Sequence, residues 1–174
     1  MKLGQELIGA DAIQRRVREI AEQISRDYQG LERPLILLSV LKGSVCFATD
    51  LSRHITVPVN FDYVAVSSYG AQTQSSGHVQ LLKDLTMDVA GRDVLMVEDI
   101  IDTGLTTSFL FDHVQRHRPK ALKLCVLLNK EERRITPVPI AYKGFDIPNH
   151  FVVGYGLDYD ELYRNLTAVH ILEP

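Results

Sequence analysis

Apolar positions near the start of the chain recur at three- and four-residue steps: Ile13, Val17, Ile20, Ala21 and Ile24. That spacing lines one side of a helix, and it predicts an amphipathic helix over residues 8–29, opened near Asp11 and stopped by Gly30. Beyond Gly30 the texture changes. Apolar, β-rich runs follow at Leu35 to Val40, Val57 to Val66, Val94 to Val97, Leu122 to Leu128 and Phe151 to Val153. Runs of this kind suit strands buried on both faces, the condition of a parallel sheet. Gly43 to Arg53 and Leu105 to His117 carry helical spacing between such strands, which is βαβ order. The expected fold is α/β, with a mostly parallel twisted sheet flanked by helices on both faces. Ligands on such sheets bind beyond the carboxyl ends of the strands. The small, polar, almost uncharged stretch Ser67 to Gly77 stands apart and reads as a mobile loop over about 67–78.

The length of 174 residues suits one domain spanning 1–174, and 45% hydrophobic with 24% charged residues is ordinary globular composition. A net charge of −3 offers no long-range attraction to nucleic acid or to an anionic membrane, so any phosphate must be held by a local site. A small phosphorylated ligand is the expectation, with no nucleic-acid or membrane partner. Cys46 and Cys125 sit among apolar neighbours without metal-ligand spacing, and they read as buried free thiols of a reducing compartment. With no apolar leader and no membrane-length run, the cytoplasm is the expected location.

The densest chemistry follows Val94 to Val97. Glu98-Asp99-Ile100-Ile101-Asp102-Thr103-Gly104-Leu105-Thr106-Thr107 leads from that strand into a helical pattern. Paired carboxylates supply acceptors for hydroxyls or a hydrated Mg²⁺. The helix N-terminus, the hydroxyls of Thr103, Thr106 and Thr107, and the freedom of Gly104 make a phosphate cradle. An aspartate N-cap would explain Asp102 and Thr103 without a ligand. It leaves Glu98 and Asp99 unexplained, since crowded carboxylates repel unless a cation or hydroxyls compensate.

The strand and VEDIIDTGLTT resemble the phosphoribosyl-pyrophosphate (PRPP) motif of the type I phosphoribosyltransferases, most of all the hypoxanthine-guanine members. The likeness runs from about Val40 to Arg164 and is weakest over the N-terminal helix. It implies the type I fold, with a mobile catalytic loop and a small purine-binding hood built from about 130–174 and the N-terminal segment. By resemblance, Glu98 and Asp99 hold the ribose hydroxyls and metal, Thr103, Gly104, Leu105, Thr106 and Thr107 hold the 5′-phosphate, and Asp102 also acts on the purine. Some members have Lys where Leu105 stands. Leu41, Lys42 and Gly43 would meet pyrophosphate through backbone N–H groups, with a cis bond between Leu41 and Lys42. Ser68 and Tyr69 would begin the loop that closes over the reaction centre and keeps water from it. Lys130 would donate to the purine 6-oxo group, Phe151 would stack on the base and Val152 would meet its edge. Asp158 would bind near the purine and hold a second Mg²⁺, and Arg164 would meet pyrophosphate.

The implied reaction converts a purine base and PRPP to a purine nucleotide and pyrophosphate, with Mg²⁺ as cofactor. A Lys130 ammonium suits a 6-oxo purine and leaves the amino group of adenine facing another donor, so hypoxanthine and guanine are the expected bases and xanthine remains open. A phosphoribosyltransferase for another base and a nucleotide-sensing regulator on the same fold are the rival readings. The regulator would call for a basic face or an added DNA-binding domain, and the sequence has neither. The family likeness implies a homodimer or homotetramer without choosing between them. Gly154-x-Gly156 lacks the third glycine of a dinucleotide fingerprint.

Overall fold

The computed structural model describes residues 1–68 and 79–173. The N-terminal apolar stripe folds as helix α1 (Ala10–Asp27), with Ile13, Val17, Ile20, Ala21 and Ile24 all buried. Burial of each larger aliphatic side chain is worth roughly 1.5–3 kcal/mol, so this face rather than a side-chain cap fixes the helix. Around it run β1 (Lys2–Ile8), β2 (Leu35–Leu41), α2 (Val45–His54), β3 (Val59–Ser68), β4 (Val79–Lys83) and β5 (Asp93–Ile101). Then come α3 (Leu105–Arg116), β6 (Ala121–Asn129), a 3₁₀ turn (Glu131–Arg133), β7 (Ile140–Asp146), β8 (Val152–Val153) and β9 (Val169–Glu173).

The main sheet has the order β4-β3-β2-β5-β6-β7, parallel throughout except for the antiparallel edge strand β4. Its interior strands divide their side chains by alternation. Leu35 and Leu37 of β2 and Leu95 and Val97 of β5 pack with α1 and α2. Ile36 and Leu38, Val94 and Met96 pack with α3 on the opposite face. Adjacent strands β2 and β5 therefore send their following helices to opposite faces, which opens a crevice at their carboxyl ends. The mixed α/β fold expected from the sequence is present, and among the described residues no helix is long and apolar enough to cross a membrane.

Four strands were not evident in the sequence. β1, β4 and β7 lie at sheet edges, and β9 is a short strand between β1 and β8 in a separate antiparallel sheet. Edge strands need not be continuously apolar, so KLGQELI and IAYKGFD give little periodic signal. β5 also runs four residues past its apolar stretch, because Glu98, Ile100 and Ile101 remain in register with Val126, Leu128 and Asn129 of β6. Ser67 and Ser68 end β3, and the rest of the loop read from the sequence, with Tyr69, lies outside the described residues. Both cysteines are free; Cys125 is buried as expected, whereas Cys46 is only half-buried, being at the open end of α2.

Asp62 ties β3 to the segment after β4. Its carboxylate accepts hydrogen bonds from the N–H groups of Tyr63, Thr86 and Met87 and from the Thr86 hydroxyl, at 2.7–2.8 Å. Burial by itself would raise the carboxyl, but these bonds outweigh it and hold Asp62 below the usual carboxylate range. A lowered folded pKa gives stability that is complete above the ordinary value of 3.8 and is lost as pH falls through the folded value. Asp62→Ala strands several donors, and is expected to cost about 2–4 kcal/mol at pH 7. Denaturant melts should show that deficit shrinking as the pH drops below about 4.

Candidate active site

The crevice at the carboxyl ends of β2 and β5 is a cavity of about 470 Å³, a volume in the range of small-molecule sites. Leu41, Lys42 and Gly43 form one wall, and the peptide between Leu41 and Lys42 is cis, as expected. Asp99, Asp102 and Thr106 form a second wall, and Lys130, Phe151, Val152, Asp158 and Arg164 complete the enclosure. Residues that reading the sequence missed also line it, notably Arg133, Asn149 and Leu157. Asn149 and Leu157 carry no sequence signal, whereas Arg133 was hidden in a run of charges.

The paired acids do not face this cavity together. They are consecutive residues of β5, so their side chains leave opposite faces of the sheet. Glu98 is buried beside Thr107 of α3 and is absent from the cavity wall. Burial, reinforced by the Asp99 charge, pushes its carboxyl up to about 8, with the Thr107 hydroxyl pulling the other way. Asp99 turns toward the β2–α2 loop. A Cβ at Gly43 would stand 1.8 Å from Asp99 Oδ2, so only glycine lets the β2–α2 loop and this acid come so close. Burial lifts the Asp99 carboxyl to about 6, with backbone N–H groups and Arg164 opposing and Asp158 adding to the rise.

Helix α3 begins at Leu105 with Gly104 as its N-cap, at φ 84° and with no side-chain cap. The aspartate-cap alternative is thereby removed, and the N–H groups of the first turn point toward the crevice end of the helix. Thr106 lines the cavity, while Thr103, Gly104, Leu105 and Thr107 do not. Gly104 answers to a backbone neighbour: its Cβ would lie 2.4 Å from the Thr136 carbonyl oxygen. The Thr103 carbonyl accepts from Ile135 N–H and Thr136 N–H at 2.9 and 3.0 Å, so the segment after β6 buttresses the acidic loop.

That buttress is where Arg133 and Arg134 act. Arg134 donates to the Asp102 carbonyl (3.1 Å) and to Asn129 Oδ1 (2.5 Å), and Asn129 donates in turn to Asp146. Arg133 Nε lies 3.1 Å from Asp102 Oδ1. Lys130 is buried at 6% exposure, and its N–H is bonded to the Ile101 carbonyl. Burial pulls the Lys130 ammonium below the usual lysine range, with Asp102 opposing the shift and Arg133 adding to it. A solvated charge cluster would not bury its lysine. Lys130 and Asp102 instead present a donor and an acceptor to one cavity.

The opposite rim comes from residues 151–164. Phe151 is half-exposed on the cavity, with its ring edge-on to Tyr159 at 5.9 Å, so it is a surface platform and no part of the core. Arg164 pairs with Asp158 at 2.8 Å and donates to the Gly156 carbonyl at 2.8 Å, and Lys42 reaches Glu161 at 3.0 Å. Tyr155, Asp160, Glu161 and Tyr163 all have positive φ, a concentration of unfavourable backbone that is typical of functional loops. Asp99 and Asp158 both line the cavity, the Asp158 charge adds to the rise at Asp99, and hard carboxylate oxygens suit Mg²⁺. The Asp99 carboxyl raised by burial is what a dication would bring back to its ionised form. Glu98, facing the other side of the sheet, does not fit that role.

Residues 6–160 match the family described as the phosphoribosyl transferase domain. The hypoxanthine-guanine phosphoribosyltransferase of Mycobacterium tuberculosis is 52% identical over 172 residues, covering 97% of this chain and 85% of that protein. The Bacillus subtilis enzyme of the same name is 42% identical over 168 residues, covering 97% and 92%. A crystal structure of a hypoxanthine-guanine phosphoribosyltransferase from Bacillus anthracis, with HEPES in its active site, superposes with a TM-score of 0.92. It is 47% identical and the match covers 99% of this chain and all of the other. With the family's model matching most of the chain and relatives of 42–52% identity aligned over nearly its whole length, the chain that carries this crevice between β2 and β5 belongs to the phosphoribosyltransferase family.

Proposed function

We propose that this protein is a purine-salvage enzyme that transfers the 5-phosphoribosyl group of PRPP to N9 of hypoxanthine or guanine, giving IMP or GMP and pyrophosphate. The observation that carries the reading is the buried Lys130 beside Asp102 in the same cavity as Phe151. A cation donor, a carboxylate acceptor and an aromatic platform match the 6-oxo group, the imidazole edge and the face of a 6-oxopurine. The N-terminus of α3 with Thr106 takes the 5′-phosphate, and the Leu41-Lys42-Gly43 backbone with Arg164 takes pyrophosphate. Asp99 takes the ribose hydroxyls, while Glu98 acts from beneath on Thr107. Mg²⁺ held by Asp99 and Asp158 would supply compensation for the negative charge that develops on pyrophosphate.

In the reaction N9 forms its bond to C1′ as the bond from C1′ to the pyrophosphate oxygen breaks. Asp102 takes the proton carried at N7, which keeps electron density available at N9. The two free cysteines agree with a reducing, cytoplasmic setting. A pyrophosphate-release assay with PRPP, Mg²⁺ and a panel of bases tests the assignment. Hypoxanthine and guanine should turn over while adenine and uracil do not. No turnover with any base, or a preference for adenine, would overturn it.

Lys130→Leu gives a narrower test. Losing a charge-assisted hydrogen bond worth roughly 1.5–3 kcal/mol should lower kcat/KM for hypoxanthine about 10–100-fold. Discrimination against adenine should relax, and PRPP binding should hold.

A further inference from the structure

Among the described residues one group of three side chains could hold a metal ion: Asp84, His113 and His117, whose ligand atoms all lie within 4.8 Å of one another. None of them lines the crevice. His113 lies in the last turn of α3 and His117, four residues on, is its C-cap residue, so the two project on one side at the opposite end from Thr106. Asp84 follows β4 directly. His113 Nε2–H donates to Asp84 Oδ1 at 2.7 Å, and the His117 ring packs against His113 with centroids 5.2 Å apart. Phe109 lies nearly parallel to His113, with ring centroids 6.5 Å apart. The bond to Asp84 accounts for His113 alone; it does not require a second imidazole at the same spot.

We propose that Asp84, His113 and His117 form a second metal site, separate from the catalytic crevice, for a borderline transition-metal dication of the Zn²⁺ class. Two imidazole nitrogens at helical i, i+4 spacing with one carboxylate favour Zn²⁺, Co²⁺, Ni²⁺ or Cu²⁺ over Mg²⁺, which prefers all-oxygen sites. With metal–ligand bonds of about 2.0–2.2 Å, the three groups need only small side-chain rotations to meet on one ion. Both His113 and Asp84 keep exposure that allows this, at 20% and 49%. Loading exchanges the Asp84–His113 hydrogen bond for two metal bonds and sends its proton to solvent, leaving at least one coordination position to water. The ion then ties the far end of α3 to the edge of the main sheet at β4.

Titration of the metal-stripped full chain with Zn²⁺ or Co²⁺ alone, followed by calorimetry, thermal melting and the visible spectrum of Co²⁺, tests the site. One ion should bind with release of protons, raise the melting temperature, and give Co²⁺ bands of low-coordinate nitrogen and oxygen ligation. His117→Ala and the more conservative His117→Gln should each weaken binding at least about 10-fold and abolish the thermal shift. Their Mg²⁺-dependent turnover should remain unchanged. Wild-type affinity in both His117 variants and in His113→Ala would overturn the proposal, as would binding that disappears only with Asp99→Asn or Cys46→Ser.

Discussion

Asp102→Asn is expected to lower kcat by about 10²–10⁴-fold while leaving PRPP affinity within a few-fold of normal. The size follows from the loss of one positioned proton acceptor, about 3–5 kcal/mol of barrier. Asparagine has the same shape and still offers a carbonyl oxygen to the purine edge, but it cannot take the N7 proton. The backbone at this position should not move, because Arg134 holds the Asp102 carbonyl and Asn129 holds Arg134. Neither contact involves the carboxylate. Arg133 loses an ionic partner, in a pair that is about half-exposed and correspondingly weak, and Lys130 loses a neighbouring negative charge but no hydrogen bond that fixes the loop. Leu41 to Gly43 form a different wall of the cavity, and Thr106, on the same wall as Asp102, is held in the first turn of α3. Steady-state kinetics with hypoxanthine and guanine, together with calorimetric titration of PRPP in Mg²⁺, separate the two quantities. Unchanged kcat would remove Asp102 from proton transfer, and lost PRPP affinity would make its role structural.

The sequence revealed elements whose periodicity is imposed by burial, and missed those shaped by partners distant in the chain. Helix α1 and the interior strands β2, β5 and β6 were legible because sheet and helix packing demands apolar residues on fixed faces. β1 and β9 pair residues 2–8 with residues 169–173, and neither segment is apolar enough to announce that pairing. At the site, composition located the acidic loop but could not say how far β5 extends. Once β5 reaches Ile101, Glu98 and Asp99 must diverge to opposite faces, so one acid meets the cavity and the other lies under α3. Arg133 and Arg134 stand in a run of charged residues in which nothing names their partners, for a similar reason. Their partners, Asp102 and Asn129, are set by the way the segment after β6 folds back on the β5–α3 loop.

The pair Gly154-x-Gly156 had no dinucleotide role to play, and the fold supplies a different need for it. Gly156 sits at φ +99°, and a Cβ there would stand 2.1 Å from the carbonyl oxygen of Gly43. That oxygen has little room to retreat, since Gly43 is itself packed against the Asp99 carboxylate. Gly156 is also fixed from its own side: its N–H donates to the Arg164 carbonyl at 3.0 Å, and its carbonyl accepts from the Arg164 guanidinium at 2.8 Å. Gly156→Ala therefore adds backbone strain of about 1–3 kcal/mol to a clash between two main chains, and a total loss of about 3–5 kcal/mol is expected. Relief by separating the loops would pull Leu41 to Gly43 away from Arg164, so surviving enzyme should show KM for PRPP raised at least about 10-fold, with a smaller change in kcat. Gly30→Ala is the matched control: φ is +74°, and nothing lies within 4 Å of the added carbon. It should cost only about 1 kcal/mol through the backbone and leave PRPP kinetics untouched. Equal denaturation midpoints for the two variants would show that the contact between Gly156 and Gly43 does not constrain the site.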